Sequence, residues 1–205
     1  MKKFTLKPIL FMVVVTVFYT SVLAGINAIT IERIELNEQL SDQLSFLYVL
    51  DKLPEDKSAG NVNELYETHV KEIEIKGRRL FEGYSEEGEL IAYIVPISGG
   101  AVWGELRGLV SLSTDFEEVL GIEFLSHNET PGLGARIDEE SFKEQFRGIE
   151  IDPDESEEFL VYRPDPDGQV DAISGATGTS NAVRDIFNNN MQEFMSETRE
   201  ALEND

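Results

Sequence analysis

The chain contains no cysteine. Disulfides, thiolate metal sites, haem attached through thiols and a lipid-anchored Cys are therefore excluded. Histidine is scarce: His69 and His127 lie far apart in sequence, and neither has a neighbouring His to share a metal, so no metal site is expected. Basic residues are few as well, 17 Lys and Arg against 40 Asp and Glu, for a formal charge of −23. Nucleic acid is not an expected partner, because phosphate backbones demand basic surfaces. There is no internal repeat. Trp103 is the single tryptophan.

What is present is an apolar content of 41% over 205 residues, enough for one domain with an appendage. The appendage is N-terminal. Residues 8–31 carry no charged side chain, a run of about 36 Å as a helix at ~1.5 Å per residue, and a bilayer core of ~30 Å needs about 20 residues. Lys2, Lys3 and Lys7 precede it, and 14 basic against 40 acidic residues follow it, a formal −26. The positive-inside rule then puts residues 1–7 in the cytoplasm and the acidic bulk outside, on a single membrane helix over 8–31. Val22-Leu23-Ala24 also fits a signal-peptidase site, so a cleaved export signal is the rival reading. Both readings export the domain.

Beyond the membrane segment, residues 32–55 read as a helix with Ile34, Leu36, Leu40, Leu44, Leu47, Val49 and Leu50 on its stripe, ended by Pro54. With the loop 56–63 it forms an expected stalk and linker, 32–63, before a domain over 64–205. A short helix from 64 leads into a strand at Glu72–Lys76. Strands are expected at Arg79–Tyr84 and Leu90–Ile97 around the turn signal Ser85–Glu89, with Gly99-Gly100 breaking the second, and at Leu106–Ser113 and Val119–Phe124. Glu139–Phe146 reads as a helix and Phe159–Arg163 as a strand. Met195–Asp205 reads as a polar tail. Strands in hairpin connection with helices between and at the ends indicate an α+β fold. The acidic loops 150–158 and 165–168 lack the ligand alternation of a calcium loop and read as turn chemistry.

The chemistry concentrates in Asp171-Ala172-Ile173-Ser174-Gly175-Ala176-Thr177-Gly178-Thr179-Ser180. A helical stripe follows at Val183, Ile186, Phe187, Met191 and Phe194, with Thr179 or Ser180 as its expected cap. As bare sequence this is either a capped surface turn or a loop-to-helix anion site. Upstream, Glu129-Thr130-Pro131-Gly132-Leu133-Gly134 after His127-Asn128 reads as a turn with Pro131-Gly132 at the centre of a type II geometry. His127 by itself reads as structural.

The first run resembles the flavinylation motif of FMN-binding domains, Asp-x-x-Ser/Thr-Gly-Ala-Thr-x-Thr/Ser. The second resembles that family's other signature, in the expected order. The family includes the C subunit of the sodium-pumping NADH:quinone reductase (Nqr) and the G subunit of the Rnf complex. The resemblance covers roughly residues 75–195 and implies a twisted antiparallel sheet with packed helices. It implies FMN held covalently by a phosphoester on Thr177, with Ser174, Gly175, Ala176 and Thr179 at the phosphate end. Glu129, Thr130, Gly132, Leu133 and Gly134 would seat the ring, with Trp103 and Leu106 nearby. Asp171 would serve recognition by a flavin transferase. The stretch around Trp103 departs from the common family wording.

The function so implied is a membrane-anchored electron carrier within an ion-translocating Nqr- or Rnf-type complex, with partner membrane subunits and no substrate chemistry or catalytic residue of its own. A free-standing extracytoplasmic flavoprotein feeding a terminal reductase, and a non-redox envelope module, are the alternatives. The charge asymmetry predicts that protease added outside cells with a permeabilised outer layer digests the acidic domain. Protection of that domain would reverse the orientation.

Overall fold

The structure, a computed structural model, describes residues 6–154 and 158–203. Lys2, Lys3, the middle of the 150–158 loop and the last two residues lie outside the described residues. The chain divides into two compact units at Ser41/Asp42. The first is the N-terminal part of helix α1, Leu6–Val49. Leu10, Phe11, Val14, Phe18 and Leu23 on it are exposed. Among the described residues α1 is the one helix long and apolar enough to cross a membrane by length and composition.

The second unit begins while α1 is still helical. Phe46, Leu47, Val49 and Leu50 are buried, as is Val62 of α2, Ala59–His69. Much of the segment expected to be stalk and linker therefore belongs to the folded body, and α2 starts earlier than residue 64. α1 stops ahead of Pro54. Asp51 takes φ +56, its N–H donates to Tyr48 C=O (3.0 Å) and the Lys52 N–H reaches Leu47 C=O (2.8 Å). These two bonds satisfy carbonyls that a helix end leaves free. His69 is buried, with Nδ1 2.8 Å from Tyr84 C=O.

Six strands form an antiparallel sheet in sequence order: β1 Val70–Ile75, β2 Arg78–Tyr84, β3 Leu90–Ala101, β4 Gly104–Leu112, β5 Glu118–Ser126 and β6 Ile149–Glu150. One face carries Phe46, Val49, Leu50, Phe81, Ile94 and Leu109. The other carries the larger core, where Tyr93, Val95, Ile97, Leu106 and Val110 meet Val183, Ile186, Phe187, Met191 and Phe194 of helix α4, Thr177–Glu197. These five α4 residues are the stripe expected from their helical spacing. Between β5 and β6 lie a 3-10 turn, Gly134–Asp138, helix α3, Glu140–Lys143, and a second 3-10 turn, Glu144–Phe146. Tyr162–Arg163 (β7) pairs in parallel with Val170–Asp171 (β8).

Three local expectations differ from the structure. Gly99-Gly100 does not break β3, which runs through to Ala101. A Cβ on Gly99 would lie 2.6 Å from Ile186 Cγ1, so glycine there lets α4 close onto the strand. The strand expected over Phe159–Arg163 is only Tyr162–Arg163. Leu160 is instead held from the side by Asn188 of α4, which accepts its N–H (2.8 Å) and donates to its C=O (3.0 Å). The chain end is not a polar tail as far as it is described. α4 runs to Glu197 and α5, Arg199–Glu203, follows, because Phe194 and Met195 are buried and Leu202 packs on the core.

Arg147 joins the end of α1 to the sheet. Its guanidinium donates to Leu120 C=O and to Tyr48 C=O (2.8 Å) and pairs with Glu144 (3.0 Å). The Tyr48 hydroxyl donates to the same Glu144 oxygen (2.7 Å). That hydroxyl, and then Arg147, hold the Glu144 carboxyl below the usual range. A depressed folded pKa means that the stabilisation is present above the unfolded Glu value and is lost as pH falls through the folded one. Removing the charged donor leaves two carbonyls short of a partner, so Arg147→Met should cost about 2 kcal/mol, a fall in thermal midpoint of about 4–8 °C. Glu144→Gln should lower the midpoint at neutral pH, and its gap from wild type should close on acidification. A pH-independent gap would contradict the assignment.

Candidate functional site

Four segments meet at one end of the sheet, the last two of them consecutive in the chain. The first is the tip of the β3–β4 hairpin. Ala101 pairs with Gly104, leaving Val102 and Trp103 as a two-residue loop. Both are exposed, Trp103 at 65% of its surface. The second is the turn after β5, closed by Leu133 N–H to Thr130 C=O (3.1 Å). Gly132 has φ +74 there, the value needed at the third position of a type II turn. Thr130 and Leu133 are exposed.

The third is the loop Ile173–Ala176, a similar turn closed by Ala176 N–H to Ile173 C=O (3.0 Å), with Gly175 at φ +81. The Ile173 N–H donates to Ser180 Oγ (3.0 Å), tying the loop back to the helix that it feeds. The fourth is the start of α4. Thr177 is its first residue and is exposed. Its first intrahelical bond runs from Ser180 N–H to Ala176 C=O (3.0 Å), so the N–H groups of Thr177, Gly178 and Thr179 have no helical acceptor. They add to the positive end of the dipole.

These placements revise the expected cap. α4 begins at Thr177, three residues before Ser180, and the cap position is Ala176, which has no side chain to bond the helix. Ser180 spends its hydroxyl on the loop. Thr179 is buried and its Oγ1 donates to Glu129 Oε2. Glu129 is itself only 5% exposed, and its other oxygen accepts the Trp103 N–H (3.1 Å). Its own N–H donates to His127 Nδ1 (3.1 Å), while His127 Nε2 lies 2.9 Å from Asp138 Oδ2.

The expected seat residues therefore separate into two groups. Trp103, Thr130, Gly132, Leu133, Ser174, Gly175 and Thr177 face outward around one place, with Leu133 Cδ2 3.7 Å from where a Gly175 Cβ would lie. Glu129, Gly134, Ala176 and Thr179 are buried beneath it. Leu106 is completely buried in the core and leaves the site, because its strand position points under α4. Asp171 is exposed, pairs with Arg163 (3.1 Å) and has its N–H bonded to Gln145 Oε1 (2.8 Å). Sequence reading missed Val102, whose Cγ2 would sit 3.0 Å from a Cβ on Gly178, and it missed the bond between His127 and Asp138. No periodicity marks either, since both are contacts across chain separations. Among the described residues no group of three or more His, Asp or Glu side chains could hold a metal.

Residues 102–192 match the family model of the FMN-binding domain. The chain is similar to that family over this span. The matched span opens at the hairpin tip and closes within α4, so it contains all four segments. Among known proteins the chain is similar to the C subunit of the Na+-translocating NADH-quinone reductase of Yersinia pestis, 34% identical over 129 residues, covering 57% of this chain and 48% of that protein. It is similar to the G subunit of the ion-translocating oxidoreductase complex of Methanosarcina acetivorans, 35% identical over 107 residues, covering 52% of this chain and 53% of the relative. The matched region thus spans about half the length of each relative. Its fold matches the crystal structure of Shewanella oneidensis NqrC with TM-score 0.64 at 19% identity, over 82% of this chain and 99% of that one. It also matches the crystal structure of the corresponding reductase subunit from Parabacteroides distasonis, with TM-score 0.65 at 23% identity over 78% and 92%. At such identities the likeness carries the fold alone.

Gly134, directly after the Thr130–Leu133 turn, has a steric role. A Cβ on Gly134 would collide with Thr179 Oγ1 and lie 2.6 Å from Glu129 Oε2. Gly134→Ala should therefore push the two apart and destabilise the domain by about 1–3 kcal/mol, read as a lower denaturant midpoint. An unchanged midpoint would show that the neighbours yield freely.

Proposed function

We propose that this FMN-binding domain holds its cofactor covalently, by a phosphoester on the Thr177 hydroxyl, and works as a membrane-anchored electron carrier. The observation that carries the reading is the position of Thr177. It is exposed at the first residue of a 21-residue helix, behind a glycine turn and beside the outward-facing Trp103 and Leu133. A phosphate on its oxygen would have the unbonded N–H groups of the first turn and the helix dipole to stabilise it. Trp103 and Leu133 offer exposed apolar area suited to a flat ring system, and an aromatic face favours stacking. When bound, the flavin supplies the redox chemistry. The chain's own residues bind it, orient it and leave one side open.

Tethering suits a carrier outside the cytoplasm, because an attached group cannot be lost to dilution. α1 would serve as the single membrane anchor, with the N-terminus cytoplasmic and the acidic domain outside. The relatives are named as subunits of ion-translocating complexes. By that kinship the chain would receive electrons from partner subunits and pass them on, after a flavin transferase has moved FMN from FAD to the Thr177 hydroxyl, breaking the FAD phosphoanhydride and releasing AMP and the hydroxyl proton. Asp171, exposed on β8 and paired with Arg163, is available to such a transferase.

Thr177→Ala should abolish the flavin fluorescence that survives denaturing electrophoresis, while Ser174→Ala retains it. Flavin mapped by mass spectrometry to Ser174 or Thr179 would overturn the assignment. No covalent flavin after co-expression with an active transferase would overturn the carrier as well.

A further inference from the structure

We infer that Glu129 is a positioning residue: its carboxylate clamps the Trp103 tip to the first turn of α4 and so fixes the spacing between ring seat and attachment point, without touching the flavin. The inference rests on the roles proposed above for Thr177 and Trp103.

Both carboxylate oxygens are engaged from inside the protein. Oε1 accepts the Trp103 N–H at 3.1 Å and Oε2 accepts the Thr179 hydroxyl. Both partners are donors, which suits a carboxylate, and bonds to an ionised acceptor are roughly twice as strong as neutral ones. With 5% of Glu129 exposed, the group is closed off from the surface on which a ligand would lie. The three residues come from separate parts of the chain, 26 positions apart on one side and 50 on the other. The strand pairing at the tip stays within its own hairpin, and the Glu129 side chain carries the link from there to α4.

Glu129 is also fixed at its own backbone. Its N–H donates to His127 Nδ1, so that nitrogen is an acceptor and the ring proton belongs on Nε2, which faces Asp138 at 2.9 Å. Asp138 thus orients the histidine, and the histidine orients the start of the Thr130–Leu133 turn. Gly134 completes the arrangement by lacking the Cβ that would part Glu129 from Thr179. One carboxylate therefore sets three elements at once: the tip that bears Trp103, the turn that bears Leu133, and the helix start that bears Thr177.

The test uses full-length protein flavinylated by co-expression with its transferase, and the same protein carrying Thr177→Ala as a flavin-free reference. Glu129→Ala, Glu129→Gln and Thr179→Val are compared. Glutamine can keep both contacts, accepting from Trp103 N–H and donating to Thr179 Oγ, while losing the charge. In the flavin-free background, exchange of the Trp103 amide should quicken at least about tenfold with Glu129→Ala, the loss of one charge-assisted bond, and clearly less with Glu129→Gln, which keeps a neutral one. In flavinylated protein the emission of Trp103, the sole tryptophan, should be quenched in wild type and Glu129→Gln. Most of that quench should be lost in Glu129→Ala, with the flavin still attached. Thr179→Val, which removes one contact only, should lose part of it and provides the reading if Glu129→Ala does not fold.

Full quenching in both Glu129→Ala and Thr179→Val would overturn positioning. So would a midpoint potential shifted as far by Glu129→Gln as by Glu129→Ala, since the charge would then be acting on the flavin itself. Equal Trp103 emission with and without flavin would also overturn the inference. In that case amide exchange separates the causes: intact dependence on Glu129 means that the clamp exists and the ring seat is misplaced, and its absence means that the clamp is missing.

Discussion

The close approach of α4 to β3 governs the site. Gly99 permits Ile186 to settle onto the strand, and the buried row Val183, Ile186, Phe187, Met191 and Phe194 fixes the helix in rotation and along its axis. Once that row is seated, the helix start has one place to go, beside the tip of the hairpin that β3 itself begins. The Ile173–Ala176 loop therefore inherits its position from the core. Interiors pack at close to crystalline density, so such a row tolerates little sliding.

The core brings the segments near one another, and a few polar contacts set the finer spacing. Glu129 engages Trp103 and Thr179, Ser180 engages Ile173, and Asn188 holds Leu160 where the chain enters the β7–β8 pair. Each of these polar groups has a partner supplied by a different segment, which is the condition under which burying it stabilises a particular arrangement. The outward side of the same region is left apolar and open, with Trp103, Val102 and Leu133 exposed. The region thus has a rigid buried floor, with Glu129 and Thr179 bonded to each other, and an accessible upper side.

At the opposite face of the sheet, the end of α1 is bound by Arg147 and capped by the Asp51 turn. Arg147 follows directly on the 3-10 turn whose Gln145 accepts the Asp171 N–H. The last turns of α1, the turn around Glu144 and strand β8 are thereby linked through a short series of hydrogen bonds.

Much of this was legible in the sequence. The uncharged run 8–31, the strand alternation, the α4 stripe and the two motifs are local patterns, each set by periodicity or by a turn that needs particular residues, as Gly132 does. Two of the sheet's pairings, β2 with β3 and β4 with β5, followed from the hairpin signals. What could not be read were consequences of packing. Gly99-Gly100 has the form of a strand break, yet the strand runs through it and Gly99 is clearance for a helix. Thr179 has the form of a cap and is instead a buried donor to a residue 50 positions away. Leu106 lies close to Trp103 in sequence and is enclosed in the core. Residues 32–55 have the form of a stalk helix, and only the fold shows that Phe46, Leu47, Val49 and Leu50 near its end are buried in the second unit. Sequence determined where the two glycine turns and the helix stripe lie, because such turns and periodicities need particular residues in a row. Tertiary structure alone decided which of those residues face outward and which hold the others in place, because that depends on which side of each residue the rest of the chain covers.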